Sequence, residues 1–297
     1  MSYEFEDLSK YTLPDKEAII MGRYKKDLLF AGKQHAVIKR IISLNNNSKP
    51  NPEKLAVIEG IWALSMAMQY NIKIKYLVIC IEDIIAIEAQ KLIDQYVEKA
   101  EKCFVVSKKV FETITEKGNS HGLLAVCYLP MSSFENVELR DKNIVLILDG
   151  LEIPGNIGTI LRSADATNVD AVIINNRKTR LNHPKLIRSS MGSCFSVPVI
   201  ESNAEETIEW LKQNNFEIIL TDTRAASQYY ELPYKNRVAI VMGSEKYGVS
   251  EDWYNTPYTG VSIPMLGNCD SLNVGIAATI ILYEATLKNS GKLDRNI

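Results

Sequence analysis

Four short apolar runs, Ile144–Leu148, Ala171–Ile174, Phe216–Leu220 and Val238–Met242, set the tightest limit on how this chain folds. Each has the length of a strand, and each ends in a polar residue or glycine, as strands buried on both faces do. Helical patterns near Gly158–Thr167 and over Glu205–Lys212 lie between them. Strands alternating with helical crossovers make an α/β domain with a mostly parallel sheet. Ligands of such sheets sit beyond the carboxyl ends of the strands. Three unusual turns fall there: Pro154–Arg162, Gly243–Gly248 and Ser262–Val274.

This domain is expected over residues 143–290, behind a polar linker at 131–142. Ahead of it, residues 43–130 read as a smaller α/β unit. Helical patterns at Leu55–Tyr70, Ile84–Glu98 and Lys108–Ile114 alternate there with strand-like runs at Tyr76–Cys80, Cys103–Val106 and Leu123–Cys127. Residues 1–42 form a helical, basic extension, the first 32 or so reading as polar helix with breaks at Pro14 and Gly22.

A net charge of -2 gives no general attraction for nucleic acid. Yet residues 16–54 hold nine Lys or Arg against Glu17, Asp27 and Glu53, including the pairs Lys25-Lys26 and Lys39-Arg40. By itself a solvated helix face explains such a run more often than an RNA contact does. Five scattered cysteines and three distant histidines supply no metal-binding or nucleophile motif, so reduced core thiols and no metal are expected. The longest apolar stretches, such as Gly275–Tyr283, fall short of the roughly 20 residues that a bilayer needs. The first twenty residues carry acids where a signal peptide carries bases. A cytoplasmic protein without a membrane partner is the expectation.

In the first turn, Pro154-Gly155 forms a tight bend and Asn156 is placed to cap the following helix. Gly158, one turn below Arg162, leaves room for a bulky partner to approach the guanidinium; an ordinary Arg162-Asp165 surface pairing fits the spacing equally well. In the second, Gly243 and Gly248 free the backbone, and Glu245 is either a carboxylate that orients an arginine or an exposed loop acid. In the third, Ser271 is a candidate N-cap for a helix over Leu272–Leu287 that packs Leu272, Ile276, Ile280 and Tyr283 on one face. Asn273 lies in its first turn. The G-x-G-x-x-G spacing and the G-K-[ST] phosphate loop are both missing, which excludes an ordinary dinucleotide oxidoreductase and a P-loop enzyme.

Taken in order, the three turns resemble the motifs of the SpoU (TrmH-like) branch of the SPOUT RNA methyltransferases: Asn156-Ile157-Gly158 with Arg162, then Gly243-Ser244-Glu245 with Gly248, then Ile263-Pro264-Met265 with Ser271-Leu272-Asn273-Val274. The segment Arg188–Val199 is similar to a further Ser-x-Gly-Ser-x-Phe-x-x-Pro region of the family. Lys246-Tyr247 departs from it, since many relatives carry glycine after the glutamate. This detail resembles the thiostrepton-resistance ribosomal RNA methyltransferases, and the added base is placed to touch RNA.

The resemblance implies a C-terminal deep trefoil knot, and S-adenosylmethionine bent within its loops. Gly243, Ile263 and Leu272 would contact the cofactor, with Thr221 and Ser271 beside them. It also implies a homodimer in which Arg162 reaches the methyl group bound by its partner, and an L30e-like RNA-binding domain ahead of the knot, opened by Val57-Ile58-Glu59-Gly60. The implied reaction is methyl transfer to a ribose 2'-hydroxyl of RNA, ribosomal rather than transfer RNA. Arg162 would clamp and stabilise charge, Asn156 and Glu245 would hold it, and Ser271 with Asn273 would shape the floor; whether Arg162 also accepts a proton stays open. A transfer RNA 2'-O-methyltransferase and a non-catalytic ribosome-assembly protein are the alternatives.

Overall fold

The computed structural model describes residues 5–24, 27–116 and 120–293, so the basic pair Lys25-Lys26 lies outside the described residues. The chain divides into two compact units. One runs up to Leu129 and takes in Asn182–Arg188; the other holds Pro130–Leu181 and the chain from Ser189 onward.

The first unit contains α1 (Leu13–Tyr24), β1 (Leu28–Phe30), α2 (Ala36–Asn45), β2 (Leu55–Glu59), α3 (Gly60–Gln69), β3 (Ile74–Ile79), α4 (Ile87–Val97), β4 (Lys102–Val105), α5 (Lys108–Phe111) and β5 (Leu123–Tyr128). Its sheet runs β1-β4-β3-β5-β2. β4 lies parallel to β1 and β3, and β5 antiparallel to β3 and β2. The helix expected over Leu55–Tyr70 is a strand followed by a helix. Leu55–Ile58 are buried against β5, and Gly60, at a φ of 81°, turns the chain into α3. A buried strand that abuts a helix reads as one apolar window. Among the described residues, the polar helix expected over the first 32 is confined to α1, with β1 after it. Lys16, one of the nine bases, is buried with its ammonium donating to the Glu82 carbonyl, and so serves the fold.

The second unit contains β6 (Asn143–Asp149), α6 (Pro154–Ala166), β7 (Ala171–Asn175), α7 (Pro184–Ser190, whose first five residues belong to the first unit), α8 (Ser193–Ser196), β8 (Val199–Glu201), α9 (Ala204–Gln213), β9 (Glu217–Thr221), β10 (Ser227–Gln228), β11 (Arg237–Gly243), α10 (Glu251–Tyr254), β12 (Thr259–Ser262) and α11 (Val274–Asn289). Its sheet runs β10-β12-β9-β11-β6-β7-β8, with every pairing parallel. All seven residues of the central strand β6 are buried, as a strand covered on both faces requires. The buried Asp149 at its end accepts from the Asn176 amide and the Ser250 N–H, both at 2.7 Å, and so ties three loops at the carboxyl edge.

The order of β12 carries the topology. It lies between β9 and β10, which precede it and follow one another in sequence. The Ser262 hydroxyl donates to the carbonyls of Ala225 and Ser227, so the connection after β9 bends over the end of β12. At the far end of α11, Lys288 donates to the carbonyls of Tyr230 and Leu232, and Asn289 to those of Tyr234 and Asn236. The 222–236 connection is thus bonded both to β12 and to the C-terminal end of α11. A parallel sheet with this strand order is typical of the threaded fold that the resemblance implies, an exception to the rule against threading.

Candidate functional site

At the carboxyl ends of β9, β11 and β12 a cleft of about 490 Å³ opens. Thr221, Gly243, Ile263, Ser271 and Leu272 all line it, together with Glu245. Its size falls in the range of about 300–1,000 Å³ typical of cofactor sites. Met242, Val249, Ile263, Ala277 and Ile281 give it apolar walls for a flat base, and Asp222, Glu245 and Asp270 bring carboxylates that suit a cationic ligand. S-adenosylmethionine, with an adenine at one end and sulfonium and ammonium charges at the other, fits this set of groups.

The loop after β11 is built around one glycine. A Cβ on Gly243 would fall 2.2 Å from the Gly248 carbonyl carbon and 2.3 Å from the Val249 nitrogen. Ser244 and Gly248 exchange two backbone hydrogen bonds of 2.9 Å, with Gly248 at a φ of 71°. The hairpin this makes leaves Glu245 pointing away from the sheet toward α6.

Across it, α6 and α11 pack closely because Gly275 allows it. A Cβ there would meet Asn273 Oδ1 at 3.1 Å and Thr159 Cγ2 at 3.4 Å. A 2.6 Å hydrogen bond between the hydroxyls of Ser163 and Thr279 fixes the pair further along. The result brings Asn156 and Asn273 together. The Asn156 amide donates to Glu245 Oε1, its carbonyl oxygen accepts from Asn273 Nδ2 at 3.2 Å, and Asn273 Oδ1 in turn accepts from the Gly275 N–H at 2.9 Å. One residue from each of the three turns therefore forms a single exposed hydrogen-bonded chain.

Arg162 stands outside this chain. It is exposed, does not line the cleft and, among the described residues, makes no hydrogen bond or ion pair. Asp165, the alternative partner that the sequence offered, instead accepts from the Ser196 hydroxyl.

Three local readings change. The N-cap of the last helix is Asn273, not Ser271, and the helix starts at Val274; the Ser271 hydroxyl donates to Asp270 at 3.1 Å. Asn273 wins because its own side-chain oxygen reaches the free N–H of the first turn. Asn156 likewise does not cap α6, which begins at Pro154 with Ile153 as its N-cap and proline preset in the first turn. The face expected to pack, Leu272, Ile276, Ile280 and Tyr283, is the exposed one. Leu272, Ile276 and Tyr283 are 39, 51 and 45% accessible, while Val274, Ala278, Ile281, Leu282 and Ala285 are buried. A helix apolar all round offers no periodicity from which to choose a face. Sequence reading also missed Asp149, whose only signal was a strand-ending acid, and the cleft residues Met242, Val249 and Tyr254, which carry no motif.

Among the described residues no cluster of His, Cys, Asp and Glu could hold a metal ion, and no helix is long and apolar enough to cross a membrane. Four of the five cysteines are buried, and burial pushes the Cys103 and Cys194 thiols up to about 11.

A parallel sheet whose last strand is inserted between two earlier ones, with a cofactor-sized cleft at its carboxyl edge, is the arrangement of a knotted α/β methyltransferase domain. Residues 143–283 match the model of the SpoU rRNA Methylase family, and residues 35–125 that of the MRM3-like substrate binding domain. The 23S rRNA (guanosine(2553)-2'-O)-methyltransferase RlmP of Bacillus subtilis is 29% identical over 199 residues, 67% of this chain and 78% of that protein. A solved RNA 2'-O ribose methyltransferase is 30% identical with a TM-score of 0.73, covering 88% of this chain and 98% of its own. The AdoMet-bound rRNA methyltransferase from Sinorhizobium meliloti is 25% identical with a TM-score of 0.79, covering 87% of this chain and 97% of its own. Staphylococcus aureus relatives named putative TrmH family tRNA/rRNA methyltransferases are 40% identical, but the match spans only 61% of their length. The chain belongs to the SpoU (TrmH-like) family of SPOUT RNA methyltransferases, with a substrate-binding domain ahead of the catalytic one.

Proposed function

We propose that this protein transfers a methyl group from S-adenosylmethionine to a ribose 2'-hydroxyl of ribosomal RNA, as a homodimer. The observation that carries the reading is the meeting of Thr221, Gly243, Ile263, Ser271 and Leu272 in one cleft, with the Asn156-Glu245 link at its edge. The similarity to an AdoMet-bound rRNA methyltransferase and to a 23S rRNA 2'-O-methyltransferase supports both the donor and the class of RNA.

The donor supplies an electrophilic methyl group on a sulfonium sulfur. A ribose hydroxyl is a poor nucleophile at neutral pH, so the protein must hold it in line and favour the charge that develops on its oxygen. Arg162 is suited to that work: its guanidinium, always protonated, can clamp the adjacent phosphate and stabilise the sugar oxygen, acting by position and charge. Glu245, Asn156 and Asn273 keep the three turns in register around it.

A second copy completes the site. Arg162 is exposed and is not among the residues that line the cleft, and the exposed Ile276 and Tyr283 with the half-buried Ile280 give α11, the neighbour of α6, an apolar outer stripe. Joining two such stripes buries apolar area and brings each Arg162 toward the cleft of the other subunit. In the first unit, Lys33 and Lys39 are exposed cations of the basic segment beside the 73% exposed Phe30, a surface suited to RNA.

The test is calorimetric titration with S-adenosylmethionine, followed by methylation of fractionated cellular RNA with labelled donor. Saturable uptake and label at 2'-O-methyl positions of ribosomal RNA are expected. Uptake without transfer to any RNA, or no uptake, overturns the reading.

A further inference from the structure

Among the residues that line the cleft is an exposed aromatic ring, Tyr247, with Lys246 next to it. Tyr247 is 72% exposed, and no second ring stacks on it among the described residues. Its loop is nevertheless held firmly. Besides the paired backbone bonds between Ser244 and Gly248, the Tyr247 N–H donates to the Ser244 hydroxyl at 3.0 Å. The Lys246 ammonium lies 4.8 Å from the centre of the ring.

Charge at the lip is unevenly matched. Glu245 is engaged by Asn156, Asp270 by Ser271, and Asp222 by the backbone N–H of Arg224 at 2.8 Å. Lys246 meets no acid among the described residues, so its charge is uncompensated. Arg224, also on the cleft lining, has an 88% exposed side chain paired with Asp222 at 3.5 Å. An exposed ring on a loop whose backbone is braced, beside an unpaired ammonium, is what a single-stranded nucleotide needs: a flat apolar face for the base and a cation for the phosphate. A protein partner would instead ask for contiguous apolar area, and this lip offers isolated rings among polar groups.

We propose that Tyr247 and Lys246 form a stacking platform for an unpaired RNA base beside the methyl acceptor, Tyr247 bearing on the base and Lys246 on its phosphate. The proposal rests on the RNA-methylating reading above and makes the target nucleotide, or its neighbour, one that is splayed out of a helix. Because backbone hydrogen bonds already hold the loop's shape, the platform's contribution falls on binding.

The test uses full-length protein and a short single-stranded oligoribonucleotide carrying one 2-aminopurine, whose fluorescence is quenched on stacking. Wild type should quench it saturably. Tyr247→Ala should weaken binding ~10-fold and abolish quenching, whereas Tyr247→Phe, which keeps the ring, should retain both. Lys246→Ala should weaken binding for all sequences and lower the salt slope by about 0.7. Unchanged affinity and quenching in Tyr247→Ala would overturn the platform, as would loss of S-adenosylmethionine uptake in that variant with oligonucleotide binding intact, which would make the ring a wall of the cofactor site. Wild-type uptake and transfer are scored separately. A wild type that methylates RNA while Tyr247→Ala binds normally rejects the platform alone; one that quenches the probe but takes up no donor rejects the enzymatic reading alone.

Discussion

The side-chain amide of Asn156 donates to Oε1 of Glu245, a residue 89 positions later in the chain. This one bond joins the start of α6 to the loop after β11, and through Asn273 it reaches the start of α11. Glu245→Ala should release both the loop and Asn156. A hydrogen bond to a charged group is worth about 1.5–3 kcal/mol, which corresponds to roughly a 10- to 100-fold loss in kcat for methyl transfer if the register of the turns is what it maintains. Steady-state transfer with saturating donor measures this, and Glu245→Gln, which keeps an acceptor oxygen, should recover part of the loss.

Arg162→Ala should leave S-adenosylmethionine affinity within a few fold, since the residue does not line the cleft. Transfer should fall at least ~100-fold, about 2.7 kcal/mol of transition-state stabilisation. Single-turnover transfer that is undiminished in this variant would remove Arg162 from the mechanism.

The parallel sheet and the three turns were legible because each has a local signature: short apolar runs for the strands, glycine, proline and asparagine for the turns. Their meeting in one place was legible only through the rule that ligands bind at the carboxyl edge and through the family resemblance. What escaped were features set by tertiary partners. β12, with the sequence Thr259-Gly260-Val261-Ser262, has little strand character of its own and exists because β9 and β10 pair with it on either side. The outward face of α11 escaped for a similar reason, since which side of an apolar helix is buried depends on α6 and not on the helix. The N-cap slipped from Ser271 to Asn273 because both are good capping residues and only the geometry of Gly275 decides between them.

Gly243→Ala should be far more damaging than a methyl group suggests. The new Cβ has no free direction, because backbone atoms of Gly248 and Val249 lie 2.2–2.5 Å from it and cannot swing aside as a side chain would. Overpacking of this kind costs about 1–3 kcal/mol, and the strain falls on the hairpin that forms the cleft wall. Calorimetry should show at least a ~10-fold loss of S-adenosylmethionine affinity, with a lowered melting temperature. Gly267→Ala, where a Cβ meets nothing within 4 Å, is the control that should bind normally.

His183 predicts a pH dependence within the first unit. Its Nδ1 accepts from the Lys185 N–H at 3.1 Å at the start of α7. Burial, then the charges of Lys185 and Arg188, hold its pKa below the ordinary 6.5. The folded state therefore binds fewer protons than the unfolded one just below pH 6.5, so the stabilisation is present above that value and is lost as the pH falls through the lowered pKa. His183→Asn keeps a side-chain acceptor but does not titrate. Between pH 7.5 and 5, the urea midpoint of wild type should drop relative to that of the variant; parallel midpoints would show that the histidine plays no such part.

If each cleft is completed by the other subunit's Arg162, two dead variants should rescue one another. Arg162→Ala has an intact cleft and lacks the cation. Leu272→Arg, at a 39% exposed position on the cleft wall, should fold, keep Arg162 and block the donor. In a dimer of one chain each, the intact cleft of the first faces the intact Arg162 of the second, and the other site is doubly dead. Random exchange makes half of the dimers mixed, with one working site in two, so an equimolar mixture should regain about a quarter of wild-type activity. A site built within one chain predicts no recovery at any mixing ratio. Ile276→Asp, placed in the middle of the exposed apolar stripe of α11, should shift the protein to monomer in sedimentation and abolish both wild-type activity and the rescue, because a charge there must be desolvated for two stripes to meet.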